Sequence, residues 1–206
     1  MADGGGSRGR PDRGEQRDRT RRRLLDAARG VFLAVGYQGA KLDEIARVAG
    51  FTKGALYWHF PNKQSLFLAL ISESIAANLG ILNAFLALGE RDPQLLKREL
   101  GAWIDGIDAR ESLPAFGVEL EIEARHNPSF RAIHQQLIAG HEAALANFLT
   151  RYFELVGEQP SLPPSELARL LVTVFKGFAL CRQNRPVDPP NSAEVTRSLM
   201  GLPVSG

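Results

Sequence analysis

Cysteine, long apolar runs and strand-like alternation are all scarce in this sequence. The single cysteine, Cys181, excludes an intrachain disulfide and agrees with a reducing compartment. The longest apolar runs, at residues 66–71 and 167–175, are short or interrupted by charge, so we expect no membrane-spanning helix and no membrane partner. The first residues lack the apolar stretch of a secretory signal, which predicts a cytoplasmic location. No alternating polar and apolar segment is long enough to predict a strand.

Positive charge is abundant at one end of the chain. Residues 1–63 carry 13 Lys and Arg against 7 Asp and Glu, whereas residues 64–206 carry 12 against 16. A concentrated basic region is typical of a surface that binds a polyanion, although a solvated basic tail has the same composition. Charge alone does not decide between these two interpretations.

Apolar residues recur at three- and four-residue spacing through most of the chain, which predicts an all-α fold of about nine helices. Gly36 ends the first helix, Gly50 ends the second, and Thr52 is a good N-cap for the third. The predicted helices are 17–35, 42–49, 53–59, 63–88, 93–108, 114–125, 128–156, 164–184 and 192–200. The predicted domains are a disordered basic arm at 1–16, a helix-turn-helix domain at 17–62 and a larger helical domain at 63–206.

The second and third helices have the proportions of a helix-turn-helix, in which the second of the pair lies in the DNA major groove. In the stretch TKGALYWHF, Leu56 and Phe60 are expected to face the core. Lys53, Tyr57 and Trp58 then point outward, together with Gly54. A plain helical hairpin within a bundle is the alternative, but a bundle does not need this exposed aromatic and cationic surface.

Residues 20–66 resemble the DNA-binding domain of the tetracycline-repressor (TetR) family of bacterial transcriptional regulators. The resemblance rests on LLDAARGVFLAVGY, then LDEIARVAGFTKGALYWHF, then Lys63, and it covers under a quarter of the chain by motif. It implies a regulator that binds a double-stranded DNA operator. The residues that it places at the DNA are Lys41, Thr52, Lys53, Gly54, Ala55, Tyr57, Trp58, His59 and Lys63.

These positions carry distinct chemistry. Lys53 can donate to guanine O6 or N7, and the methyl group of Ala55 can meet a thymine methyl. The resemblance gives Lys63 the task of holding a phosphate. Lys41 stands where the family usually has Thr or Ser, so we expect a weaker cap on the second helix and a phosphate contact instead. The arginines before it (Arg8, Arg10, Arg13, Arg17 and Arg19) fit either a flexible minor-groove arm or a non-specific electrostatic tail.

The resemblance also implies that the larger domain forms a homodimer and binds a small-molecule effector. The apolar residues that we predict for the dimer interface are Leu167, Leu170, Leu171, Val174, Phe178, Leu199 and Met200. The predicted pocket residues are Trp103, Ile107, Phe116, Glu119, Leu120, Glu123, His126, Phe148, Tyr152 and Phe175. Either set could equally be ordinary core, because the sequence alone does not separate core, pocket and interface.

The polar residues of the larger domain leave several alternatives open. Glu119, Glu123 and His126 share one helix face and could meet a cationic ligand or a metal, or could form a solvated stripe. His134 and His141 share a face too, but two histidines are weak evidence for zinc. We predict no resident metal and no cofactor.

Three functions remain to be compared. The first is a homodimeric repressor that a small molecule releases from a palindromic operator. The second is a DNA-binding dimer whose larger domain binds no small molecule and serves only dimerisation or protein contacts. An internal cavity in that domain distinguishes the two. The third, an enzyme, is disfavoured because no nucleophile elbow, phosphate-binding glycine loop or convincing metal set is present.

Overall fold

The computed structural model describes residues 12–107, 113–184 and 192–203, and within them the chain is helical and contains no strand. The all-α prediction is therefore confirmed for this part of the chain. Nine helices are present in it: α1 (Arg13–Gly39), α2 (Leu42–Ala49), α3 (Lys53–His59), α4 (Lys63–Gly89), α5 (Pro93–Asp105), α6 (Leu113–His126), α7 (Pro128–Val156), α8 (Pro164–Asn184) and α9 (Ser192–Leu199).

The helix starts follow the capping chemistry of the sequence. The Thr52 side chain accepts a hydrogen bond from the Ala55 amide at 3.2 Å, which confirms the predicted cap of α3. Asp92 and Asn127 cap α5 and α7 in the same way, each directly before a proline at the first helical position. Lys41 precedes α2 and makes no side-chain capping bond, as expected from a side chain that only donates.

Helix α1 differs from its prediction at both ends. It begins at Arg13, so residues 13–16 form a helical turn, whereas residues 1–11 of the predicted arm lie outside the described residues. At Gly36 the helix is interrupted by φ 69° and ψ 177°, a backbone conformation that is essentially confined to glycine. One further helical turn follows the break, to Gly39.

The chain divides into two compact units, Met1–Leu70 and Ile71–Gly206, and α4 runs through the division. The sequence predicts the boundary earlier, at 62/63. In the first unit α1 packs against α2, and α2 against α3. Phe67 of α4 joins this core, because its ring centroid lies 5.0 Å from that of Phe32 and 4.9 Å from that of Tyr37. The start of α4 therefore belongs to the first unit.

The second unit is built around α7 and α8, with α5, α6 and α9 packed against them. Its core includes Tyr152, whose ring packs edge to face against Phe153 at 5.1 Å. Leu167, Leu171 and Met200 are also buried in this core, at 0%, 3% and 3% exposure. Their assignment to the dimer interface was therefore wrong, because they have no surface left for a partner.

Helix α4 bears on the expectation that no segment spans a membrane. Among the described residues it alone is long and apolar enough by length and composition, with a mean hydropathy of 1.7 over 18 residues. Core helices of soluble proteins meet the same criterion. Inspecting apolar runs overlooked this helix, since Glu73 interrupts the run without lowering the average much. Leu66, Leu70 and Leu82 along it are buried within the protein.

Candidate DNA-binding surface and effector cavity

Helix α3 presents a mixed aromatic and cationic surface to solvent. Leu56 and Phe60 are buried, with 0% and 3% exposure, and they fix which face of the helix points inward. Tyr57 and Trp58 consequently project outward, with 41% and 67% of their surfaces exposed. Isolated exposed aromatics are common, but two neighbours beside a lysine at a helix N-terminus form a surface suited to binding.

The turn between α2 and α3 depends on Gly50. This glycine adopts φ 74°, which L-residues with a side chain rarely take. A Cβ added there would also lie 3.1 Å from Nη2 of Arg23. That guanidinium donates to the Ala49 carbonyl at 2.9 Å and lies over the Phe51 ring at 4.7 Å. Arg23 thereby connects α1 to the turn and holds the two short helices in place.

Arginines of α1 also pack against the aromatic residues of α3. The Arg17 guanidinium lies 5.1 Å from the Trp58 ring centroid, and Arg21 lies 5.2 Å from that of Phe60. Arg17 is thus part of a helix, as the sequence predicts for residue 17, and its guanidinium packs against the Trp58 ring. Burial lowers the pKa of His59, and the charges of Arg17 and Arg21 lower it further.

Lys53, the predicted base-reading residue, is held by an acid of the preceding helix. Its Nζ lies 2.9 Å from Oδ1 of Asp43 and 3.0 Å from Oδ2, and this pairing raises the pKa of Lys53. Both side chains are more than half exposed. The ammonium therefore stays charged, and in the DNA-free protein Asp43 sets its direction. The contact with Asp43 was not predicted from the sequence, because residues ten positions apart meet here only where α2 and α3 cross.

The structure gives Lys63 a different task from the one that we predicted. Its Nζ donates to the carbonyls of Tyr37, Gln38 and Ala40 at 2.8, 3.2 and 3.2 Å, and it lies 4.6 Å from the Tyr37 ring centroid. An ammonium has three N–H donors, so this arrangement uses all of them. In this conformation Lys63 stabilises the backbone after the Gly36 break and presents no donor to a phosphate.

The other predicted DNA contacts share one surface of the first unit. Six of them are exposed: Lys41, Thr52, Lys53, Gly54, Tyr57 and Trp58. Ala55 and His59 are half-buried on the same helix. These eight residues lie on α3 or at the N-caps of α2 and α3, and their contact with DNA stays a prediction.

The second unit contains a cavity of about 110 Å³. Five of the predicted pocket residues line it: Trp103, Ile107, Leu120, Phe148 and Phe175. The other five do not. Phe116 and Tyr152 are buried in the core, and burial raises the pKa of Tyr152 to about 12. Glu123 is buried while His126, three residues later, is exposed, so this pair does not converge on a shared ligand.

The cavity wall is mostly apolar and has a polar end that sequence analysis overlooked. Lys176 and His141 line it, and Nζ of Lys176 donates to Oε2 of Glu121 at 2.9 Å. The aliphatic part of Lys176 passes over Gly117, where an added Cβ would contact its Cγ and Cδ at 3.6 Å. Lys176 was not predicted to line the pocket. Pocket residues were chosen largely from the apolar pattern, and that pattern gives no information about a lysine on α8.

No group of three or more His, Cys, Asp or Glu side chains that could hold a metal ion occurs in residues 12–107, 113–184 and 192–203. His134 and His141 are both packed against protein, and burial is the main cause of the lowered pKa of each ring. The structure therefore brings no third ligand to either histidine within that part of the chain.

A short helix pair with a capped, outward-facing second helix defines a helix-turn-helix DNA-binding protein. Residues 24–70 match the family model described as bacterial regulatory proteins of the tetR family. The repressor AcnR of Corynebacterium diphtheriae is 31% identical over 163 residues, which cover 77% of this chain and 78% of AcnR. The chain belongs to the TetR family, whose members are transcriptional regulators and not enzymes.

Higher identity is confined to the N-terminal region. The regulator SrpR of Pseudomonas putida is 49% identical over 55 residues, which are 27% of this chain and 26% of SrpR. The chain spans only 26–43% of the length of four curated relatives that it matches at 36–51% identity. A TetR-family regulator from Agrobacterium tumefaciens superposes with a TM-score of 0.65 at 20% identity, covering 90% of this chain and 97% of that one. This structural similarity shows the fold.

Proposed function

We propose that this protein is a homodimeric, cytoplasmic repressor that binds a near-palindromic operator and is released by a small molecule. The observation that carries the proposal is the surface of α3, where Lys53, Tyr57 and Trp58 face solvent beside the capped helix N-terminus. Base edges are read from this part of a recognition helix. AcnR, with which most of the chain aligns, is named as a repressor.

The cavity in the second unit supports a response to a small molecule. A domain that served only dimerisation would gain stability by filling such a space, since empty volume sacrifices packing contacts. Apolar walls with a few polar groups are typical of ligand sites. The cavity therefore favours an effector-responsive regulator over the alternative in which the second unit binds no small molecule.

Dimerisation is proposed on physical grounds and on family membership. One seven-residue helix offers few base contacts, whereas a two-fold pair reads two half-sites. On α8, Leu170, Val174 and Phe178 remain half-buried at four-residue spacing, so they lie on one face of the helix. Of the predicted interface, these residues keep surface that a second copy could cover.

Selection of bound fragments from a genomic DNA pool tests this function. We expect enrichment of a palindrome by the wild-type protein and none by Lys53→Ala or Tyr57→Ala. Sedimentation of the complex should show two chains per operator. Failure to enrich any motif, or equal enrichment by the variants, would contradict the proposal.

Asp43→Asn is expected to strengthen binding to non-operator DNA more than binding to the operator. Asp43 competes with DNA for the ammonium of Lys53, and its own charge repels phosphates. We expect an affinity gain of about threefold to tenfold per dimer on non-operator DNA and a smaller gain on the operator, because an exposed pair contributes little. The ratio of operator to non-operator affinity should fall, since Lys53 is no longer oriented. Fluorescence anisotropy with both DNAs at one salt concentration measures this ratio.

Glu44→Gln is the matched control for Asp43→Asn. Glu44 is the neighbouring acid on α2 and is paired with Arg47 at 2.6 Å instead of with Lys53. Its removal changes the charge equally but leaves Lys53 held, so the affinity ratio should stay at the wild-type value. Equal loss of discrimination in both variants would show that Asp43 acts through charge alone.

A further inference from the structure

We propose that the effector is a small apolar carboxylic acid, with its carboxylate bound at Lys176 and its hydrocarbon part along the apolar cavity wall. This inference rests on the proposed function, because it names the chemical class of the molecule that the cavity takes.

Lys176 is the cationic group of the cavity lining. It is four-fifths buried, and its ammonium gives one hydrogen bond to Glu121, whose side chain is 43% exposed. An ammonium has three donors, so Lys176 can bind a ligand carboxylate while it keeps Glu121. The positive charge of Arg125 also acts on the Glu121 carboxylate and contributes to its lowered pKa, so this end of the cavity carries additional positive charge.

Two histidines flank this ion pair. His141 lines the cavity, and His134 lies close enough to Lys176 and Glu121 for both charges to act on its ring. Nε2 of His134 is buried and has no hydrogen-bond partner among the residues that the structure describes. A buried ring nitrogen without a hydrogen-bond partner is energetically unfavourable. The region beside the ion pair therefore contains a hydrogen-bonding group that is not satisfied. His134 itself does not line the cavity, so of the two rings only His141 is placed to contact a ligand there.

The rest of the cavity fits a hydrocarbon. Its wall includes Ile71, Leu82, Leu100, Ile104, Leu145 and Val172. The volume of about 110 Å³ has room for about seven to eleven water-sized groups, at roughly 10–15 Å³ each. A six-membered ring or a short alkyl chain with one carboxylate is of this size.

A cationic effector fits this site less well. The carboxylate of Glu121 is already neutralised by Lys176, so an amine would approach an ammonium without an unpaired acid to receive it. A neutral ligand could accept a hydrogen bond from Lys176, but only a carboxylate adds charge–charge attraction to that bond. The polar end therefore selects for negative charge, and the apolar wall selects for hydrocarbon.

Calorimetric titration of the full-length protein with matched compounds tests this inference. The probes are cyclohexanecarboxylate, benzoate and octanoate, each beside its primary amide and the corresponding amine. We expect at least one acid to bind about tenfold or more tightly than its amide, because the carboxylate adds charge–charge attraction to a hydrogen bond that the amide oxygen can also accept. If no acid binds, or if amines or amides bind as tightly, the inference is wrong.

Three variants locate the binding. Lys176→Met keeps the stem and should weaken acid binding by about tenfold or more. Glu121→Gln removes the competing negative charge and should strengthen acid binding by about threefold to tenfold, whereas a cation site would lose affinity. Lys97→Met is the matched control, because Lys97 is also ion-paired, with Glu158, and is 21% exposed against 20% for Lys176, but it does not line the cavity. Equal losses in both lysine variants would contradict the assignment.

A failure of the acid-binding inference can be distinguished from a failure of the proposed DNA-binding function. Calorimetry uses the protein without DNA, so a failed operator selection leaves the binding result intact. Adding the acid that binds most tightly to the complex of protein and operator then tests whether the acid releases the protein from DNA. Binding without release would contradict the proposed effector response, while the chemistry of the site would stand.

Discussion

Lys53→Ala is expected to lower operator affinity by about a hundredfold. A lysine contact to a guanine edge lost at one half-site costs about tenfold, and a two-fold dimer loses it twice. The prediction follows from the position of Lys53 at the capped N-terminus of α3, where its ammonium is exposed and held charged by Asp43. Titrations of the selected operator at one fixed salt concentration, followed by fluorescence anisotropy, measure the ratio of dissociation constants.

Arg98→Ala is the matched control for this loss. Arg98 is an exposed cation paired with an acid, Glu99, as Lys53 is paired with Asp43, but it belongs to the second unit. Its removal lowers the net charge by the same amount and should leave operator affinity within about twofold of wild type. If Lys53→Ala weakened operator and random DNA by the same factor, Lys53 would be a phosphate contact and the assignment of base reading would be wrong.

Lys63→Met is expected to destabilise the first unit by about 1.5–3 kcal/mol, the range for a hydrogen bond to a charged group. The variant removes the donors to the carbonyls of Tyr37, Gln38 and Ala40 while it keeps most of the aliphatic stem. Faster amide exchange should follow within residues 31–49 and not in α7 or α8. Hydrogen-exchange mass spectrometry of the full-length protein resolves these regions.

Lys41→Met is the control in the same unit. Lys41 is exposed and makes no capping bond, so its loss should leave exchange unchanged. The two roles of Lys63 predict different results. A phosphate-binding lysine would give a variant of wild-type stability, with the salt dependence of DNA binding reduced by about one counterion per protomer. That pattern would restore the contact that the sequence suggested.

Much of the fold was predictable because its signals are local. The caps at Thr52, Asp92 and Asn127 and the turn at Gly50 act on residues a few positions away, so the sequence displays them directly. The start of α1 was misplaced because residues 13–16 are polar. Such residues bury nothing, and apolar periodicity therefore carries no information about them.

The features of the candidate sites that depend on a single helix were predicted from the sequence, and those that depend on how helices pack together were not. The exposed face of α3 follows from the spacing of Leu56 and Phe60 on one short helix. The pairing of Lys53 with Asp43 and the carbonyl contacts of Lys63 depend on how helices cross, which no spacing rule supplies. The division of apolar residues between core and cavity is a property of packing, so Leu171 was assigned to the wrong surface and Lys176 was overlooked.

The placement of the two tryptophans gives each unit its own optical reporter. Trp58 is exposed on α3 under the Arg17 guanidinium, and Trp103 lines the cavity, packed edge to face against Phe85 at 6.0 Å. Indole emission depends on the polarity around the ring. Emission from a Trp103→Phe protein therefore comes from the helix that is proposed to meet DNA, and emission from a Trp58→Phe protein from the wall that is proposed to meet the effector. One unlabelled chain can thus be followed at both ends in a single cuvette.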